Sequence, residues 1–137
     1  MTVKRRIVVT GIGVVSPLGL NTQQTWSNLL QGKSGVSAVK HFEKNTLSNS
    51  VAGLVKNFRL NTFKTRNLNR MDPFVQYGLQ AAQEAVKEAG LENLCAEDKK
   101  RVGVSIGSGL GGFTSFEAQC KNLSRVDQAK DSPFRNI

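Results

Sequence analysis

Histidine occurs once in this chain of 137 residues, cysteine and methionine twice each, tryptophan and tyrosine once each, and proline three times. His41, Cys95 and Cys120 are too few and too scattered for a metal centre, so no metal site is expected. The cysteines form no Cys-x-x-Cys pair, and without an export signal a disulfide is not expected; both read as small semi-buried side chains. Low proline and the absence of low-complexity tracts or repeats exclude a disordered linker. No apolar run is long enough to span a bilayer. Lys4, Arg5 and Arg6 precede an apolar stretch as in a secretory signal, but Thr10, Gly11, Gly13, Ser16 and Pro17 interrupt it and no Ala-x-Ala exit follows. The expected setting is the cytoplasm, away from membranes.

Acidic residues are also scarce where the chain begins. Residues 1–70 hold eleven Lys and Arg against a single acid, Glu43, and residues 71–137 are close to balance. The net charge of +9 therefore belongs to the first half. Such a face attracts an acidic partner: nucleic acid, an acidic protein or an anionic membrane. No DNA- or RNA-binding motif accompanies it, and few aromatics interleave with the basic residues, so nucleic acid is not the expected partner.

What is present has the pattern of an α/β protein. Arg5–Gly19 begins with the β-branched run Ile7, Val8 and Val9, which suits a strand covered on both faces. Gly11 and Gly13 allow a close backbone approach, and Ser16 and Pro17 turn the chain. The pattern predicts a helix over Thr22–Leu30, capped by Thr22 and stopped by Gly32. Val36–Val39 and Val51–Val55 are β-prone runs in an irregular connection. Arg66 and Arg70, four apart, would share one face of a helical turn. Asp72–Gly90 is the clearest helix, with Asp72 as cap, Pro73 at the first position, an Ala-rich apolar side and Gly90 as stop. Arg101–Ile106 reads as a second buried strand, Phe113–Leu123 as a third helix, and Ser124–Ile137 as loop.

Between that second strand and third helix, Gly107, Gly109 and Gly112 match Gly-x-Gly-x-x-Gly, with Asp127 twenty residues after Gly107. A dinucleotide-binding unit would need a second strand before the acid. Residues 121–127 contain no β-branched run, so a nucleotide is the weaker reading. The glycines equally suit a backbone passing close to a pocket or a subunit partner. Leu110, the only bulky side chain there, could line or gate an apolar channel.

In order along the chain, RRIVVTGIGVVSPLG, the helix with Trp26, KSGVSAVKHF, VAGLVKNF, RMDPFVQYGLQAA, VGVSIGSGLGG and Ser132, Pro133 and Phe134 resemble the N-terminal part of the β-ketoacyl-acyl-carrier-protein synthases, specifically the synthase II branch of bacterial fatty-acid elongation. The resemblance implies a thiolase-like layered α/β/α fold, of which residues 1–137 would hold an incomplete first half, ending before the nucleophile motif. It implies a homodimer that takes an acyl chain from acyl carrier protein onto a cysteine. The acyl group is then condensed with malonyl-carrier protein in a decarboxylative Claisen reaction, assisted by two histidines and an oxyanion hole. Neither Cys95, Cys120 nor His41 occupies those motifs, so no catalytic residue is expected here and the segment alone is expected to be inactive. No resident cofactor is implied, because phosphopantetheine arrives on the carrier substrate.

Three roles carry over by position. Leu110 would line the acyl pocket, and Phe134 would lie near the pocket and the dimer interface. Lys64, Arg66, Arg70 and Lys130 match the region that receives the acidic carrier protein, although the charges are fewer than the family usually places there. After Phe134 the family continues with an apolar, Pro-containing run, whereas here Arg135, Asn136 and Ile137 follow, as in a truncated reading frame, a split gene or a shortened chain. A non-catalytic binding module with a basic face is the alternative. An isolated segment of such a sheet is expected to expose apolar surface or a strand edge.

Overall fold

The computed structural model describes residues 6–39, 51–60 and 71–124. In chain order these form α1 (Thr22–Leu30), β1 (Val36–Ala38), β2 (Val51–Gly53), α2 (Pro73–Glu88), a 3₁₀ turn (Leu91–Asn93), α3 (Ala96–Lys99) and α4 (Phe113–Ser124). The strands pair antiparallel, with Val36 opposite Gly53 and Ala38 opposite Val51.

α1 has the expected span but a different cap. Asn21, not Thr22, is the N-cap: its Oδ1 accepts the Gln24 N–H at 2.8 Å. The amide oxygen reaches an orphan N–H of the first turn from extended backbone, which is the geometry a cap requires. Gly32 follows at φ +65°, and its N–H closes on the Leu29 carbonyl at 3.0 Å.

α2 begins at Pro73, as expected, and Gly90 at φ +69° ends it. Asp72 precedes it without making a side-chain cap bond. α2 receives contacts from residues 11–14, Phe58 and Gly111. Phe58 meets Tyr77 edge-on, ring centroids 4.8 Å apart, which ties residues 51–60 to it. Gly11 and Gly13 lie directly on its backbone: a Cβ on Gly13 would strike the Ala81 carbonyl, and one on Gly11 the Ala85 carbonyl. Ala81, Ala85 and Ala89 of the Ala-rich face lie beneath the two glycines, so that part of the face meets an irregular segment rather than a sheet or another helix.

Ser16 and Pro17 form a tight turn. Ser16 and Gly19 exchange backbone hydrogen bonds at 2.9 and 3.2 Å, and Ser16 Oγ lies 3.0 Å from Thr25 Oγ1. Pro17 packs against Gly35 and Gly53, so the turn seats on the β1–β2 pair.

Two expected strands do not form. Ile7, Val8 and Val9 are 96%, 60% and 80% exposed, and Val104 and Ile106 are 82% and 81% exposed. Residues 6–15 and 102–106 carry no ladder. A strand exists only where a neighbour supplies N–H and C=O groups along its length. Among the described residues no strand pairs with either segment, and none of these residues is buried. The apolar exposure expected of an isolated segment is thus present.

α4 spans the expected helix and carries one intrahelical pair. Lys121 Nζ lies 2.6 Å from Glu117 Oε1, and this hydrogen-bonded cation holds the Glu117 carboxyl below its ordinary range. No helix of the described residues is long and apolar enough to cross a membrane.

Candidate functional site

The glycine loop lies between α3 and α4, over the first turn of α2. Gly111 packs on the ring of Phe74: a Cβ there would lie 2.6 Å from the ring edge. Gly112 adopts φ +75°, a conformation L side chains rarely take, and the loop enters α4 through it. Asp72, freed from capping, accepts a hydrogen bond from Ser115 Oγ at 2.9 Å. One α2 terminus thus fixes the loop from below through Phe74 and fixes the start of α4 through Asp72. A Cβ added at Gly107 or Gly109 would meet nothing within 4 Å, so no close approach requires glycine there.

Leu110 stands on this loop, 81% exposed, so the described residues leave it without a pocket around it. Phe134, Lys64, Arg66, Arg70 and Lys130 lie outside the described residues, as do His41, Asp127 and the expected helical turn at Arg66 and Arg70. The phosphate-cradle reading of the glycines loses its frame, because residues 102–106, which lead into Gly107, form no strand.

Among the described residues a thiol and a hydroxyl each meet a carboxylate, Cys95 Sγ donating to Asp98 Oδ2 at 3.2 Å and Ser115 Oγ to Asp72 Oδ1 at 2.9 Å, and neither pair includes a histidine. Cys95 and Cys120 are free and exposed, which corrects the semi-buried expectation. Cys95 Sγ accepts the Asp98 N–H at 3.4 Å and so caps the short α3, a role that leaves the thiol at the surface. Among the described residues no three His, Cys, Asp or Glu side chains gather as a metal would require. An open groove of about 510 Å³ between α1 and α2 is lined by Thr22, Gln23, Trp26, Glu84, Lys87 and Glu88. It contains neither cysteine nor histidine, so acyl transfer through a thiolate has no footing in it.

Asp72 and Phe74 were legible as a helix cap and an apolar-face residue, but not as supports of the glycine loop. A Ser or Thr early in the following helix and a Gly beside Leu110 are the only sequence signals of that contact, and both are too common to identify it.

The family described as "Beta-ketoacyl synthase, N-terminal domain" matches residues 4–136. The chain is 42% identical over 132 residues to 3-oxoacyl-[acyl-carrier-protein] synthase 2 of Vibrio harveyi, covering 96% of this chain and 32% of that protein. It is 38% identical over 135 residues to the protein of the same name from Staphylococcus aureus strain COL, covering 98% and 32% respectively. Among solved structures, a β-ketoacyl synthase from Burkholderia phymatum superposes with a TM-score of 0.73 at 25% identity, over 90% of this chain and 31% of that one. The chain therefore spans about a third of the length of the relatives it matches.

Proposed function

Since the chain belongs to the β-ketoacyl synthase family, through its N-terminal domain, we propose that it supplies the opening part of a fatty-acid-elongating synthase that condenses acyl- and malonyl-carrier protein. The observation that carries this reading is the near-complete coverage by relatives named 3-oxoacyl-[acyl-carrier-protein] synthase 2 at 38–42% identity. In the complete reaction a cysteine thiolate attacks the acyl thioester and releases the carrier thiol. Loss of carbon dioxide from the malonyl thioester then leaves a carbanion equivalent. That carbon attacks the acyl-enzyme, forming the new C–C bond and expelling the cysteine thiolate. The single histidine and the exposed cysteines give residues 1–137 no means to perform these steps alone.

Within that enzyme Leu110 lines the acyl pocket, and its exposure here matches a side chain waiting for the rest of the pocket wall. Phe134 lies by the pocket and the dimer interface. Lys64, Arg66, Arg70 and Lys130 receive the acidic carrier protein, with the charge asymmetry of the first half as support. The synthase works as a cytoplasmic homodimer without a resident cofactor, its phosphopantetheine arriving on the carrier.

Two measurements test this. Purified chain mixed with acyl- and malonyl-carrier protein yields no condensation product; turnover by these residues alone overturns the inactivity. Carrier protein binds at low salt, and Arg66→Glu or Arg70→Glu weakens binding at least about tenfold, as loss of charge pairing at a docking surface predicts. Equal carrier binding by the charge-reversed chains, with tight DNA binding and a steep salt slope, favours the basic binding module instead.

A further inference from the structure

The segment from Ile12 to Thr22 leaves α2, turns at Ser16 and Pro17, and returns at the start of α1. Both ends of this excursion are held by the same side chain. Glu84 Oε2 accepts the Val14 N–H at 3.0 Å, and Glu84 Oε1 accepts the Thr22 N–H at 2.8 Å. Thr22 Oγ1 also donates to the Ile12 carbonyl at 3.2 Å, drawing the two ends together. One helical turn on, Glu88 Oε2 accepts the Ile12 N–H at the exposed rim, using a single oxygen. The two glycines set how closely this segment lies on α2, and the carboxylates satisfy N–H groups that have no strand partner.

We propose that the carboxylate of Glu84 is a two-ended clamp that holds the Val14–Thr22 excursion closed on α2, and that loss of one acceptor oxygen opens it. The chemistry follows from counting acceptors. A carboxylate offers two acceptor oxygens and no donor, which two converging N–H groups require. A glutamine replaces one oxygen with an NH₂, so a donor faces a donor at one end. Glu88 differs, because its single contact can be made by the oxygen of a glutamine.

The charged groups around the clamp are few. Lys87 and Glu88 on α2 line the same groove, α1 faces it with the uncharged Thr22, Gln23 and Trp26, and residues 12–15 carry no charge.

The test is residue-resolved amide hydrogen exchange by NMR on the full chain, with E84Q and E88Q. At neutral pH the Val14 and Thr22 amides are protected. In E84Q at least one of them loses protection by about tenfold or more, because the amide offers one acceptor oxygen to two N–H groups. In E88Q they keep it. The α2 amide of Ala89, bonded to the Ala85 carbonyl at 2.9 Å, is the internal control and stays protected in both variants. Should E84Q unfold α2 as well, denaturant-dependent exchange of the unsubstituted chain decides: Val14 and Thr22 share one opening free energy, lower than that of Ala89. The clamp is overturned by full protection in E84Q, by equal losses in E88Q, by unprotected Val14 and Thr22 at neutral pH, or by opening of Val14 and Thr22 only in step with Ala89.

Discussion

Gly11 and Gly13 owe their place to the helix beneath them. A methyl on Gly13 would fall on the Ala81 carbonyl and within 2.9 Å of the Ala85 nitrogen, and helix backbone cannot step aside as a side chain tip can. Gly13→Ala therefore lifts the segment from α2 and destabilises by about 1–3 kcal/mol, the range for overpacking a tight contact. Gly78 provides the opposite case. It sits inside α2, and a methyl added there would meet nothing within 4 Å. Gly78→Ala therefore removes backbone entropy from the unfolded chain and stabilises by roughly 0.5–1 kcal/mol. Urea unfolding followed by helical circular dichroism should show the two shifts with opposite signs. That the glycines mark a close approach was legible from their position after a β-branched run. Which backbone they approach was not, because Ala81 and Ala85 lie far along the chain. Glu84 and Glu88 were illegible for the same reason: on an amphipathic helix they resemble solvated charges, and their acceptor role depends on N–H groups 62 to 76 residues away.

Elements that close their own hydrogen bonds were legible; of those that need a partner, the β-prone runs Val36–Val39 and Val51–Val55 pair with each other as β1 and β2, and the two longer runs do not pair. α1 and α2 announce themselves through 3.6-residue spacing, Pro73, and the stops at Gly32 and Gly90, all of which act within a few residues. The cap of α1 was missed by one position, since Asn21 and Thr22 are both competent caps and only the backbone angles decide between them. This ambiguity has a measurable consequence. Asn21→Ala loses the 2.8 Å bond to Gln24 N–H and costs about 1 kcal/mol. Thr22→Ala leaves that cap bond intact and acts through Thr22 Oγ1 and the Ile12 carbonyl instead. Thermal unfolding of the two variants, compared with amide protection at Gln24, separates the effects: only Asn21→Ala exposes the Gln24 amide. The runs at Ile7–Val9 and Val102–Ile106 carry an equally clear β signal, yet composition specifies only a tendency to be paired and covered. Without adjacent strands that tendency leaves exposed chain.

At the scale of the whole molecule the family was legible as an ordered set of motifs, and the candidate site was not legible as a geometry. A pocket needs several walls, and among the described residues the loop that carries Leu110 rests on Phe74 and Asp72 with no wall around Leu110 itself. The same shortage of walls governs solubility. No described residue is fully buried, while Ile7, Val104, Ile106, Leu110 and Leu123 are each more than 80% exposed. Burial of one such side chain is worth about 1.5–3 kcal/mol, so several on one chain provide a strong drive to associate. Charge opposes this, because a net +9 keeps copies apart at low salt and is screened as salt rises. The chain made alone should therefore scatter light increasingly with concentration, and more so at high salt. Ile7→Lys, Val104→Lys and Ile106→Lys combined should suppress the scattering. An equally charged control with Gln31→Lys, Asn93→Lys and Thr114→Lys, which adds lysines at polar exposed sites, separates the two causes. If the control suppresses scattering as fully at high salt as the apolar replacements do, unpaired apolar surface is not what drives association.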